Sequence, residues 1–283
     1  RRARHAADLP REPDGRGEMN AADRIARGLF GFYFVAFFVY LFAPLAIMVA
    51  ATFNTSRFPT ITPWQGTTLD WFNQLAADTG MWRSLWTSVI VAFFVVAVAL
   101  PIGTAAALLL TSLHARARSF LYAVMVSPLL TPGVVIGIAT LVLWRQLGVG
   151  GGIFLIVLAQ ASFIICYVML LVAARLQRFD RTQEEAAIGL GASRFMMFRR
   201  VMLPFLKPAL FAAGFLAILQ SIENYNTTLF VRGFDTPLTV YIATKVRTGL
   251  TPAVNALALV MIAVTIIGAI IYEIVRRRSQ PAG

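Results

Sequence analysis

Six stretches of this chain, residues 29–52, 85–112, 119–144, 152–174, 208–231 and 253–275, are apolar over twenty or more positions. A helix needs about twenty residues to cross ~30 Å of hydrocarbon, and only a helix or a closed barrel satisfies its backbone there. Such repeated runs predict an all-α membrane protein with six transmembrane helices. The composition agrees, with 58% hydrophobic and 13% charged residues, too little charge to cover a soluble surface of this size. The first run is too long for the apolar segment of a signal peptide, so it reads as a retained helix.

The net charge of +12 would in a soluble chain point to nucleic acid. Here its distribution matters more. With the N-terminus inside, the inner segments hold nineteen of the Lys and Arg residues and the outer segments six. The positive-inside rule then puts both termini in the cytoplasm and leaves no role for nucleic acid. The expected organisation is a disordered extension over 1–28, a first helix over 29–52, an outer loop over 53–84, and five helices over 85–275. Within that core, 176–207 is a cytoplasmic loop, and 276–283 is a tail. Residues 1–18, which precede the first methionine (Met19), read either as a native extension or as a misplaced start. The outer loop 53–84 reads as a partly helical cap with tryptophan anchors, and 232–252 as a turn or helix able to dip back toward a pore mouth.

Cys166 is the single cysteine and sits in an apolar run, so it reads as a buried hydrophobe, with no intrachain disulfide. His5 and His114 have no clustered ligands, so no metal site is expected. Pro101, Pro128 and Pro132 remove helix hydrogen bonds inside predicted spans. For SPLLTPG (127–133), two readings stand: a packing kink, or a hinge at Pro128, Pro132 and Gly133 lining a cavity. Glu273 is expected to pair with the arginines at 276–278.

One segment departs from the greasy pattern: QEEAAIGLGASRFMMFRRVMLP, residues 183–204. Residues 184–188 favour a short helix, Gly189 and Gly191 permit a change of direction, and Ser193 suits the N-cap of a second helix. Pro204 and Pro208 then lead to the next span. Two short helices joined at a glycine form either a projecting knob or a pair lying flat on the headgroups.

Glu185-Ala186-Ala187, three residues, Gly191, nine residues, then Val201-Met202-Leu203-Pro204 resembles the EAA loop of type I ATP-binding-cassette importer permeases. Val201 in place of isoleucine is the one departure, and the likeness extends over roughly residues 80–275. The resemblance implies a bacterial inner-membrane permease subunit. Its loop would dock on an ATPase through Glu185, Ala186, Ala187, Gly191, Leu203 and Pro204. It further implies a second permease (a heterodimer), two ATPase subunits and a periplasmic solute-binding protein. ATP and Mg would be used on the ATPases, with no cofactor and no catalytic residue in this chain. The absence of a G-x-x-x-x-G-K-[ST] loop agrees with that division of labour.

In the fifth run, Gln220, Glu223, Asn224, Thr227 and Thr228 recur at helical spacing and predict one polar stripe. A carboxylate within a span usually faces a bundle interior or an aqueous path. Glu223 therefore lines a substrate path or pairs with a partner permease; both readings stand. PLTVYIATKVRTGLTPAVNALALVMI (237–262) resembles the C-type permease of spermidine/putrescine importers, which implies a polyamine or another small cation. Permeases for opines, amino-acid derivatives, phosphonates, iron or thiamine are related alternatives. An ion-driven secondary transporter would be expected to show inverted repeats, and none is visible. A membrane enzyme would need a nucleophile–base pair or metal cluster that the sequence does not supply.

Overall fold

The computed structural model describes residues 21–249 and 252–279, the side chains of 21–24, 268–269, 271–273 and 275–279 excepted. Most of the expected 1–28 extension, and the expected Glu273 pairing with 276–278, thus lie outside the described residues. The chain divides into two units, residues 1–68 and 69–283.

In the first unit, α1 (Ala21–Thr52) is a single helix through Pro44. Phe34, Phe38 and Phe42 follow one another along it at four-residue spacing, Phe38 tilted against Phe34 and stacked on Phe42. The loop that follows is organised by Asn54, which is fully buried. Its amide donates to the carbonyls of Thr60 (2.9 Å) and Pro63 (3.2 Å) and accepts from the amides of Ser56 and Gln65. One asparagine thereby supplies the partners that a loop backbone without a ladder lacks.

The second unit begins with α2 (Asp70–Ala77) and α3 (Thr79–Ser112). Asp78 separates them and caps α3, its carboxylate accepting from the Met81 amide at 3.1 Å. This cap starts the second span at residue 79, six positions before the expected 85. α3 runs unbroken through Pro101. α3 packs along α6 (Ile153–Leu176), and both pack on α9 (Leu203–Ile222). Small residues allow this: Ala99, Ala106 and Ala107 are buried, and a Cβ added at Gly103 would lie 2.7 Å from the Cβ of Val168. With lipid outside as apolar as leucine, such close backbone approach is what holds membrane helices together.

The third expected span is not one helix. α4 (Ala115–Leu130) and α5 (Gly133–Gln146) meet at a bend of 100°. Pro132 has no N–H to continue the ladder and biases Thr131 to extended backbone, ψ 129°, so α5 starts afresh with Pro132 as its N-cap. The fifth expected span also differs. A helix beginning at α8 (Arg194–Met197) passes through a π-helical turn (Phe198–Met202) into α9, so the second short helix is continuous with the span instead of separate from it. The π turn puts the Leu203 amide on Phe198 O, five residues back, just where Pro204 would otherwise leave a missing donor and a clash.

Beyond α9 the chain leaves the helix at 223–227 before α10 (Thr228–Val231) and α11 (Leu238–Thr248). α12 (Pro252–Ser279) completes the order, with α7 (Arg181–Gly189) lying between α6 and α8. Four described helices are long and apolar enough to cross a bilayer, five if the bent pair is one broken span, and Pro252–Ile267 of α12 is a shorter apolar helix. The fold is that of an all-α membrane protein. The described residues form no strand, only an isolated bridge between Asn54 and Thr67.

Candidate functional site

The polar residues of the fifth span do not form a stripe on one helix. α9 ends at Ile222, and only Gln220 lies on it. Asn224 uses its side chain to accept from both the amide (3.2 Å) and the hydroxyl (3.0 Å) of Thr228, so it organises the start of α10. Short polar side chains that bond to nearby backbone compete with helix, and NYNTT concentrates them. Gln160 on α6 completes the break. Its amide nitrogen donates to Thr228 Oγ1 at 2.8 Å, and its carbonyl oxygen accepts from Ser221 Oγ at 2.6 Å. Gln160, Ser221 and Thr228 are all buried. Gln160 was not singled out in the sequence, although a lone glutamine inside an apolar run was the available signal.

The break and the bend come together. Pro128 and Gly133 from the α4–α5 elbow, Gln220, Glu223, Asn224 and Thr227 from the fifth span, and Tyr167 from α6 line one cavity of about 260 Å³. Of the expected residues, Pro132 and Thr228 do not line it; the latter is committed to the Gln160 network. A Cβ on Gly133 would meet Thr227 Oγ1 at 2.8 Å, and the Thr227 hydroxyl is buried without a hydrogen-bond partner. The lining thus includes one carboxylate, the side-chain amides of Gln220, Asn224 and Asn226, the unpartnered Thr227 hydroxyl, and Tyr167 and Tyr225.

The loop at 181–191 is equally well defined. Asp180 caps α7 by accepting from the Thr182 amide at 2.9 Å, and the bonds from Thr182 hold its carboxyl below the usual carboxylate range. Gly191 lies at φ +86°, with its amide on Ile188 O and the Ala192 amide on Ala187 O. That pair of bonds is a Schellman motif, which requires a left-handed residue after the C-cap. Ser193 caps α8 as expected, its hydroxyl accepting from the Met196 amide at 3.2 Å. Glu185 and Ala186 are exposed, Ala187 half-buried, and Leu190 is 90% exposed. Leu203 and Pro204 stand apart from these, at the start of α9.

Two contacts tie the loop to the helices. Arg181 donates to Thr111 O at the end of α3 (3.2 Å). Arg175, near the end of α6, donates to Phe205 O (3.3 Å) and stacks its guanidinium 4.1 Å from the centre of the Phe205 ring.

At the opposite ends of α3 and α9, α11 is anchored to α3. The Leu238 amide donates to the buried Ser88 hydroxyl at 2.8 Å. Tyr241 donates to Asp78, and Lys245 pairs with the same carboxylate at 3.4 Å. Burial pushes the Asp78 carboxyl up, but the bonds from Tyr241 and Met81 and the Lys245 charge prevail and hold it below its ordinary value. The described residues hold no cluster of metal-ligating side chains.

Comparison with known proteins agrees with this architecture. Residues 99–281 match the family described as binding-protein-dependent transport system inner membrane component. The chain is 31% identical over 256 residues to the spermidine/putrescine transport system permease protein PotC of Escherichia coli strain K12, covering 89% of this chain and 96% of that protein. It is 32% identical over 252 residues to the putrescine transport system permease protein PotI of the same organism, covering 86% and 89%. The putative 2-aminoethylphosphonate transport system permease protein PhnV of Salmonella typhimurium is 29% identical, covering 82% and 88%. Among solved structures, a bacterial ABC transporter that imports the acidic polysaccharide alginate shares the fold, with TM-score 0.67 and 18% identity over 93% of this chain and 99% of that one. The polar break, the elbow and the EAA-type loop are therefore parts of an importer permease, and the chain belongs to the family of binding-protein-dependent transport system inner membrane components.

Proposed function

We propose that this permease forms half of the path for a small solute carrying at least one primary ammonium group, of the polyamine class. The observation that carries the reading is the cavity where Glu223, Gln220 and Asn226 face the α4–α5 elbow beside Tyr167. A carboxylate, amide oxygens and an aromatic face are the groups that replace water around an ammonium ion. The names of the relatives support the class: spermidine and putrescine are amines, and aminoethylphosphonate also carries an amino group.

In this reading the loop at 176–207 lies in the cytoplasm of a bacterial inner membrane, with both termini on that side and 53–84 outside. Glu185, Ala186, Ala187 and Gly191 seat the loop on an ATPase subunit that uses ATP and Mg, while Leu203 and Pro204 join it to the fifth span. Exposed Leu190 and Ile188 give that contact an apolar anchor. A second, different permease completes the path, two ATPases drive it, and a periplasmic binding protein delivers the solute. Pro128, Pro132 and Gly133 form the hinge about which the path opens.

Uptake of labelled spermidine and putrescine tests the reading in cells whose other polyamine importers are deleted. Glu223→Gln removes the charge and keeps the shape, and is expected to lower uptake by about tenfold or more, the value of roughly one charged contact. Polyamine uptake unchanged in that variant would remove the basis for the cation path.

A further inference from the structure

At the end of the helices where the EAA-type loop lies, α3, α4 and α6 enclose a crevice of about 270 Å³ that the transport reading does not use. Its walls are of two kinds. Leu110 and Leu176 are buried and apolar, and Arg118, Arg181, Tyr122 and Thr111 supply hydrogen-bonding groups. The geometry points to a binding site for the phosphodiester headgroup of an anionic phospholipid, with the start of an acyl chain against the leucines.

The arginines carry the argument. Arg118 spends one N–H on Leu113 O and Arg181 one on Thr111 O, both at 3.2 Å, so each guanidinium is fixed at the rim. A guanidinium has five donors, and neither group has a carboxylate within ion-pair distance among the described residues. Glu184 lies in an adjoining crevice that shares Arg181, without pairing with it. Two positioned, unneutralised guanidinium groups over an apolar floor complement a phosphate whose carbon chains cannot leave the bilayer. A free phosphate would satisfy the arginines and leave the apolar floor bare.

With the apolar helices taken as spans, this crevice falls at headgroup depth. It sits where α3 ends at Ser112, α4 begins at Ala115 and α6 ends at Leu176. Arg181 is also the first residue of α7, so a bound headgroup steadies the base of the loop. The inference rests on the cytoplasmic orientation proposed above, and its readout is lipid retention, which does not depend on transport.

The assembled importer, with its partner chains, is placed in nanodiscs, and lipid retention is read by native mass spectrometry. Phosphatidylglycerol is expected to bind about tenfold more tightly than phosphatidylcholine of the same acyl chains. Arg118→Gln is expected to abolish that preference, while Arg116→Gln, which removes the same charge outside the crevice, keeps it. Equal retention of the two lipids by the unmodified importer overturns the site and leaves the polyamine reading standing. So does a preference that survives Arg118→Gln. Displacement of the lipid by millimolar inorganic phosphate overturns the assignment to a phospholipid. Should Arg118→Gln fail to assemble, the lipid comparison on the unmodified importer still decides.

Discussion

Gly137 of α5 packs so closely beneath the backbone of Thr227 that a Cβ there would lie 2.6 Å from the Thr227 carbonyl oxygen. The break in the fifth span is therefore seated on a glycine of the elbow helix, backbone against backbone. Gly137→Ala is expected to push the 223–227 segment off α5. Overpacking of this kind costs about 1–3 kcal/mol, read as a lowered unfolding temperature of the purified importer together with reduced uptake. A variant with unchanged stability and uptake would show that the contact is slack.

Gln160 bridges Ser221 and Thr228 across the same break. Gln160→Leu leaves both hydroxyls short of a buried partner, at about 1–3 kcal/mol in all. Adding Ser221→Ala is expected to recover part of that loss, because the stranded donor is gone. Thermal unfolding of the single and double variants checks this; a double variant less stable than the single one contradicts it.

At Gly191 a Cβ meets nothing within 4 Å, so the constraint is its φ of +86° and not space. A β-branched residue in the left-handed region costs about 1–2 kcal/mol, whereas asparagine visits it readily. Gly191→Val should uncouple ATP hydrolysis from transport much more than Gly191→Asn. Equal coupling in the two, measured as solute moved per ATP hydrolysed, would mean that the Schellman turn is not what positions the loop.

The Asp78, Tyr241 and Lys245 cluster is pH-dependent at both extremes. Asp78 is depressed, so its stabilisation holds above its unfolded value and is lost as pH falls through the folded one. Lys245 is raised by the hydrogen bond it donates to Tyr241, against burial, and Tyr241 is raised by burial and by Asp78. Their stabilisation holds below their unfolded values and is lost as pH rises through the folded ones. Protection of the α11 amides against hydrogen exchange, taken relative to the intrinsic rate at each pH, is expected to be greatest between the carboxylate and ammonium ranges. Asp78→Asn, still an N-cap, should raise exchange at neutral pH by no more than about fivefold, as a part-exposed pair warrants. Protection in that variant that still falls on acidification would put the acid sensitivity elsewhere.

The all-α membrane character, the Ser193 cap and the Gly191 turn were legible in the sequence, because hydropathy runs, Ser193 and Gly191 act over a few neighbouring residues. Asp180, with Gln183 three positions on, was an equally local cap signal that went unread. Local information also located SPLLTPG and the Gln220 to Thr228 cluster as departures from plain helix.

Whether those polar residues would stay helical was not a local matter. Asn224 could cap a new turn only because Gln160, more than sixty residues away, was placed to satisfy Ser221 and Thr228. Likewise Pro132 permits a bend of any size, and only packing against Thr227 through Gly133 and Gly137 decides where α5 goes. In an apolar medium every freed backbone and hydroxyl group needs a partner. The residue types say that partners are required, and the tertiary structure alone says which ones are within reach.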